Sequence, residues 1–166
     1  MKVSQKQHET QLTNLELGCY GEAVAAEYLC RSGYQVIARN IKNKRGEIDI
    51  IVVQRANTTQ EGATAQLVCA DEPSTAKFVA NEAWQAPVGK EPVLAAVEVK
   101  TRRSLTYGFP REAVNHTKQM HIRQTLLWYL AAHPQWSGYR IRFDVIEVYM
   151  AASGKVTIKH WPGCFE

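Results

Sequence analysis

Three carboxylates in this sequence fall where apolar neighbours predict burial. Charged side chains are almost never fully buried unless paired or bound to metal, because desolvating an ion costs several kcal/mol. Asp49 lies in Glu47-Ile48-Asp49-Ile50-Ile51-Val52-Val53. Strand alternation predicts Ile48, Ile50 and Val52 on one face and Asp49, Ile51 and Val53 on the other, so both faces are apolar and the strand reads as central. Asp is disfavoured in strands, so something must compensate it; taken alone, Asp49 fits a buried ion pair as well as a metal ligand. Glu98-Val99-Lys100 closes the apolar run from Val93 to Val97. Glu98 and Lys100 project from the same face, roughly 7 Å apart at the backbone. On a surface this tripeptide is uninformative, but after a buried strand it is less so. Glu22, three residues after Cys19 and four before Ala26, falls inside the apolar stripe of a predicted helix, where a capping or salt-bridge role is the more common one.

Together, Asp49 and Glu98 on neighbouring strands would offer two hard oxygen ligands to Mg²⁺ or Mn²⁺, completed by a backbone carbonyl such as that of Val99 and by waters. Such a cation acidifies a water and neutralises charge developing on a phosphate oxygen, while Lys100 orients that water or stabilises the phosphorus centre. Glu22 would bind through a water or hold a second ion. This is the chemistry of phosphodiester hydrolysis.

Other chemistries find less support. The cysteines, Cys19, Cys30, Cys69 and Cys164, include no C-x-x-C pair, so zinc is not expected. His116 and His121 are five apart, whereas one helical face requires three or four. No P-loop, dinucleotide fingerprint or G-x-S-x-G occurs, and no organic cofactor is expected. The longest apolar runs fall far below the ~18 residues of a membrane span, and no apolar block follows the first residues as in a secretion signal. These features predict a cytoplasmic protein with no membrane partner.

The elements that must position these groups follow from periodicity. The 166 residues, 45% apolar and 22% charged, suit one globular domain over 1–166. A helix is predicted from about Leu12 to Arg31 with Leu15, Cys19, Ala26 and Leu29 inward, ended by Ser32-Gly33. Strands follow over Tyr34–Ile41 and Glu47–Val53, joined by the basic turn Lys42-Asn43-Lys44-Arg45-Gly46. From about Arg55 to Glu91 the composition shifts to Ala, Thr, Gln, Pro and Glu with weak periodicity, which marks an insertion or long excursion at 55–91. Val93–Lys100 is a strand. A helix is predicted from about Arg111 to Ala132, with Ala113, Thr117, Met120, Leu127 and Ala131 inward. Strands near Tyr139–Tyr149 and Lys155–His160 complete the order α-β-β-β-α-β-β, a mixed α/β class.

Charge is unevenly spread. There are 20 Lys+Arg against 16 Asp+Glu, a net +4, and the pI is near 8.9. The excursion holds three cations and five acids, so its net charge is −2 and the remainder carries +6. Lys42, Lys44, Arg45, Arg102, Arg103 and Lys118 could hold a nucleic-acid backbone near the metal. A solvated basic face is the plainer reading.

At these residues the chain resembles the PD-(D/E)XK nuclease superfamily, whose signature Asp49 and Glu98-Val99-Lys100 match. More closely, Gly21-Glu22, Arg39-Asn40, Arg45-Gly46-Glu47-Ile48-Asp49-Ile50, Glu98-Val99-Lys100-Thr101-Arg102, Arg142-Phe143-Asp144-Val145 and His160 resemble the YraN family of predicted bacterial nucleases, similar in fold to archaeal Holliday junction resolvases. The resemblance covers most of the chain outside 55–91. It implies a restriction-endonuclease-like αβββαβ core and a catalytic set of Asp49, Glu98 and Lys100, with Glu22 as the helix carboxylate. It also implies Lys118 or Gln119 as a polar group on the second helix, and DNA, branched or structured, as substrate. Where the family has a short hairpin, this chain has the long insertion between the second and third strands, which could cover the cleft or supply a protein-partner surface. A two-fold substrate would suit a homodimer. The rival readings are a catalytically inactive nucleic-acid-binding module and a protein-interaction arm on an inert scaffold. Asp144 is read as structural, paired with Arg142 or another basic group.

Overall fold

The structure, a computed structural model, describes residues 13–55, 91–103, 114–151 and 153–165. Helix α1 spans Asn14–Arg31, strand β1 Gln35–Asn43, β2 Gly46–Gln54, β3 Val93–Arg102, helix α2 His116–Ala132, β4 Arg140–Met150 and β5 Val156–Phe165; a short 3-10 turn, Pro134–Trp136, links α2 to β4. Among the described residues these elements follow one another in the order that periodicity predicts. A capping box starts α1: the Glu16 N–H donates to the Thr13 hydroxyl while the Thr13 N–H donates to the Glu16 carboxylate. Gly33, at φ 85°, ends the turn that follows it. β1 and β2 form a tight hairpin, whose turn is set by Asn43 Oδ1 accepting the N–H groups of Arg45 and Gly46 at 2.8 and 3.1 Å.

The five strands form one mixed sheet in the order β1-β2-β3-β4-β5. β1, β2 and β3 are antiparallel neighbours, β3 and β4 run parallel through the α2 crossover, and β5 returns antiparallel to β4. One face buries Ile50, Val52, Ala95, Val97, Ile146 and Val148 under Val24, Ala25 and Leu29 of α1. The other buries Ile51, Val53, Leu94, Ala96 and Val145 under Ile122, Leu126 and Tyr129 of α2. The chain is thus an α/β protein with a sheet between two helices, consistent with a restriction-endonuclease-like core. Among the described residues no helix is long and apolar enough to cross a membrane.

Gln54 and Val93 are paired neighbours on β2 and β3, so the excursion leaves and re-enters the sheet at adjacent positions. Nearly all of the 55–91 insertion lies outside the described residues, as do Arg111 and Ala113.

Three expectations are corrected. The buried stripe of α1 is Leu17, Gly21, Val24, Ala25, Ala26 and Leu29, while Leu15 is 78% exposed and Cys19 faces solvent. The cause is a close approach of α1 to β3: a Cβ on Gly21 would stand 1.8 Å from Thr101 Oγ1, so only glycine admits the contact. On α2 the buried residues are Ile122, Thr125, Leu126 and Tyr129, whereas Thr117, Met120, Leu127 and Ala131 are exposed. Gly46 abuts His121 and Thr125 and selects that face. The helix begins at His116, capped by Asn115, whose side chain accepts the Lys118 N–H. Finally, Ile48 packs with Ile51 and Val53 rather than with Ile50 and Val52. The alternation breaks where β1 carries Asn40 at φ 52°, the position facing Asp49 between the pairs Arg39↔Ile50 and Ile41↔Ile48. Asn is among the few residue types that enter this left-handed region readily.

Candidate functional site

The antiparallel register of β2 and β3 ends at Ile50↔Val97. Beyond that pair the two strands fork, and a side chain takes over from the ladder: the Val99 N–H donates to Asp49 Oδ2 at 2.7 Å. A carboxylate in the fork satisfies a buried backbone donor, and in return its own orientation is fixed. Burial first, and the adjacent Glu98 charge second, push the Asp49 pKa up to about 7, against the pull of the Val99 N–H and Lys118. Asp49 is thus hydrogen-bonded to the residue after Glu98 and feels the Glu98 charge.

Glu98 is 3% exposed. Alternation turns Ala95, Val97 and Val99 toward α1, and Glu98 and Lys100 toward α2. Lys100 Nζ donates to Glu98 Oε1 at 2.6 Å. Lys118 Nζ stands 3.3 Å from Glu98 Oε2 and 3.3 Å from Glu47 Oε1. Its approach to Glu98 makes an ion pair by distance but lies off the line of a hydrogen bond, and the buried Oε2 has no hydrogen-bond partner. Burial opposes the Lys118 charge, but Glu98 and Asp49 outweigh it and raise the pKa of the ammonium group. Lys118 lowers that of Glu47. Lys42 pairs with the other Glu47 oxygen at 3.4 Å, so a chain of alternating charge runs from the hairpin turn to the fork.

This donor set fits a hard divalent cation. Glu98 Oε2 is a buried anionic oxygen lacking a hydrogen bond, and Val99 engages only one of the Asp49 oxygens. Among the described residues no three of His, Cys, Asp and Glu gather into a metal cage. A cation here would complete its coordination with main-chain oxygen, such as the Val99 carbonyl, and with water.

Glu22 lies half-buried on α1, one residue after the Gly21 contact with Thr101, and its charge reaches Asp49. Arg102 ends β3 in phase with Glu98 and Lys100, and Arg103 follows it, exposed. The antiparallel register brings this end of β3 and the β1–β2 turn, with exposed Lys42, Lys44 and Arg45, to the same end of the sheet. Gln119, next to Lys118 on α2, donates its amide to the Val114 carbonyl at 2.9 Å, fixing the entry to the helix.

Asp144 belongs to a separate charge centre toward the α1 face. Arg142 donates to both of its oxygens at 2.8 Å, His160 Nε2 lies 2.9 Å from Oδ2, and the Gly163 N–H donates to Oδ1 at 3.0 Å. Burial opposes its ionisation, but the hydrogen bonds from His160 and Arg142 prevail and hold the carboxyl below its ordinary range. The structural reading of Asp144 agrees with this geometry. Glu147 escaped sequence reasoning. It is buried, pairs in register with Lys100 on the neighbouring strand, and accepts from Tyr149 Oη at 2.9 Å and Trp161 Nε1 at 3.3 Å. The available signal was the one that exposed Asp49, an acid inside an apolar strand.

Comparison with known proteins adds the family. The model of the uncharacterised protein family UPF0102 matches residues 21–148, which takes in the fork, α2 and most of β4. A UPF0102 protein of Caldicellulosiruptor saccharolyticus is 35% identical over 85% of this chain and 88% of its own length. One from Rhodococcus opacus is 34% identical over 89% and 93%, and one from Caldicellulosiruptor bescii 32% identical over 86% and 89%. The chain belongs to UPF0102, the YraN family.

Proposed function

We propose that this protein is a cytoplasmic, Mg²⁺- or Mn²⁺-dependent endonuclease that hydrolyses phosphodiester bonds in DNA, with branched or structured DNA as the preferred substrate. The observation that carries the reading is the β2–β3 fork, where Asp49 accepts the N–H of the residue that follows buried Glu98, whose Oε2 lacks a hydrogen bond. When bound, the cation supplies Lewis acidity toward the scissile phosphate and acidifies the attacking water. Asp49, Glu98 and the Val99 carbonyl hold it, and Glu22 supports it through water. Lys100, fixed by Glu98 Oε1, holds the attacking water or offsets charge on the phosphate. Lys118 adds a second ammonium group on the same side. Lys42, Lys44, Arg45, Arg102 and Arg103 bind flanking phosphates without reading sequence. A homodimer would match a two-fold junction, and the 55–91 insertion is the proposed surface for a protein partner.

A second reading has its own support. Two ammonium groups already flank Glu98, which is how a cation-free fold neutralises a buried acid, so the protein would bind nucleic acid and cut nothing. Incubating wild type, Asp49→Ala and Lys100→Ala with Mn²⁺ and a panel of junctions, flaps, duplexes and single strands separates the two. Cleavage by wild type alone supports the nuclease. Binding without cleavage by any of the three supports the binding module.

A further inference from the structure

A groove of about 720 Å³ lies between the β1–β2 turn and α2, lined by Lys42, Asn43, Lys44, Arg45, Gln124, Leu127 and Trp128. We propose that it is a binding site for an unpaired nucleotide segment, with one base stacked on the Trp128 indole and its flanking phosphates held by Lys44 and Arg45. This deepens the nuclease reading and rests on it for the choice of nucleic acid as ligand.

Three observations converge on that ligand. Trp128 is 55% exposed and Leu127 68% exposed, so α2 presents an indole to solvent away from its buried stripe of Ile122, Thr125, Leu126 and Tyr129. The opposite wall is cationic: Lys44 and Arg45 are exposed, while Lys42 pairs with Glu47. An aromatic platform facing a cationic edge matches the two parts of a nucleotide, a π-face and a phosphate, whereas an apolar peptide would leave the cations unmatched. The groove is also held in shape. Asn43 Oδ1 fixes the turn through Arg45 and Gly46 and accepts from Thr125 Oγ1 at 3.4 Å, tying the turn to α2. Gly46 lets the two elements touch at His121.

The groove is continuous with the fork through Lys42, Glu47 and Lys118. Trp128 lies ten positions after Lys118 on α2, about 15 Å along its axis, which is about four nucleotides at the duplex rise of 3.4 Å and fewer for an extended unpaired strand. A strand crossing the fork would thus present a nucleotide several positions from the scissile bond to Trp128, and it would have to be unpaired there to stack.

The test measures binding to the full-length protein in EDTA, where no cleavage occurs, by fluorescence anisotropy of labelled oligodeoxythymidylate of about 12 nucleotides and of a duplex of equal length. Trp128→Ala should weaken single-strand binding by about 5- to 150-fold, the range for losing one stacked base, and leave duplex binding within about two-fold. Trp128→Phe, which keeps a stacking face, should restore the single-strand affinity but lose the quenching of indole fluorescence on binding. Equal weakening on both DNAs, or on neither, would overturn the proposal. So would sedimentation showing a wild-type dimer that Trp128→Ala dissociates while single-strand binding is unchanged, since the patch would then join two copies of the chain. If the Trp128 effect holds and Mn²⁺-dependent cutting is absent, the nuclease reading fails alone; if cutting occurs and the Trp128 effect is absent, this one does.

Discussion

Replacing Asp49 with Asn keeps an oxygen to accept the Val99 N–H and removes the ionisation that burial and Glu98 oppose. The carboxyl is pushed from 3.8 up to about 7, and at 1.36 kcal/mol per pH unit that gap amounts to about 4 kcal/mol, less where solvent reaches the fork. Between roughly pH 4 and 7 the folded protein retains a proton that the unfolded chain has released. Stability conferred by the neutral carboxyl is therefore complete below about pH 4, falls as pH rises through that window, and is gone above about pH 7. In EDTA, urea midpoints measured at about pH 5, 7 and 9 should show Asp49→Asn pulling ahead of wild type by up to about 3 kcal/mol across the range. Mn²⁺ reverses the order, because a ligand that binds only the folded state at about 100 times its Kd adds about 2.7 kcal/mol, and wild type alone carries both carboxylates. Parallel pH profiles for the two proteins would refute the buried, repelled carboxyl. Equal stabilisation of both by Mn²⁺ would move the cation away from the fork.

Lys118→Met removes the cation that Glu98, Asp49 and Glu47 share, and should lower stability in EDTA at about pH 8 by about 1–3 kcal/mol, with Mn²⁺ restoring part of it; thermal melts with and without the metal measure this. Gly21→Ala forces a Cβ against Thr101 and should destabilise by about 1–3 kcal/mol; the loss should shrink in a Thr101→Ala background, as a double-mutant cycle reads directly. Arg142→Met leaves Asp144 buried without its bidentate partner and should cost about 3–5 kcal/mol in denaturant melts. Because the Asp144 pKa is lowered in the folded state, the stability from its ionised form is present above about pH 4 and lost as pH falls further, so Arg142→Met should flatten the acid limb of the wild-type profile.

How much of this was legible in the sequence depends on whether a feature is local or set by packing. The strands announce themselves through β-branched runs, and Asp49 and Glu98 stand out because an ion inside such a run needs a reason. The helix faces are harder to read. α2 carries large apolar residues on both sides, Ile122, Leu126 and Tyr129 against Met120, Leu127 and Trp128, so periodicity alone cannot choose between them. Gly46 and Asn43, residues of the hairpin turn that packs against α2, choose. On α1 the deciding contact is made by a glycine, which a search for apolar letters passes over. Lys118 looks like one more surface cation until tertiary packing carries it to Glu98, a residue 20 positions away and on another element.

The same division explains why the fork itself escapes a reading by alternation. Period-two logic assumes an unbroken ladder, yet β2 leaves β3 after Ile50, Asn40 on β1 turns left-handed opposite Asp49, and Ile48 changes face. A regular ladder continued past Ile50↔Val97 would set Asp49 directly opposite Glu98, on the α2 face with Ile51 and Val53. Opening the ladder instead leaves the Val99 N–H without a strand partner and hands it to the Asp49 carboxylate. The irregularity that defeats the pattern is therefore what ties Asp49 to the Val99 main chain, while the register places it near Glu98 in either case. An Asn40→Val substitution tests this link. A β-branched residue resists the left-handed conformation at a cost of about 1–2 kcal/mol. If β1 straightens in response, the ladder should extend past Ile50 and Asp49 should lose the Val99 N–H that opposes its upward shift, so the shift should grow. Loss of stability with the Asp49 shift intact would show that Asn40 serves the hairpin alone.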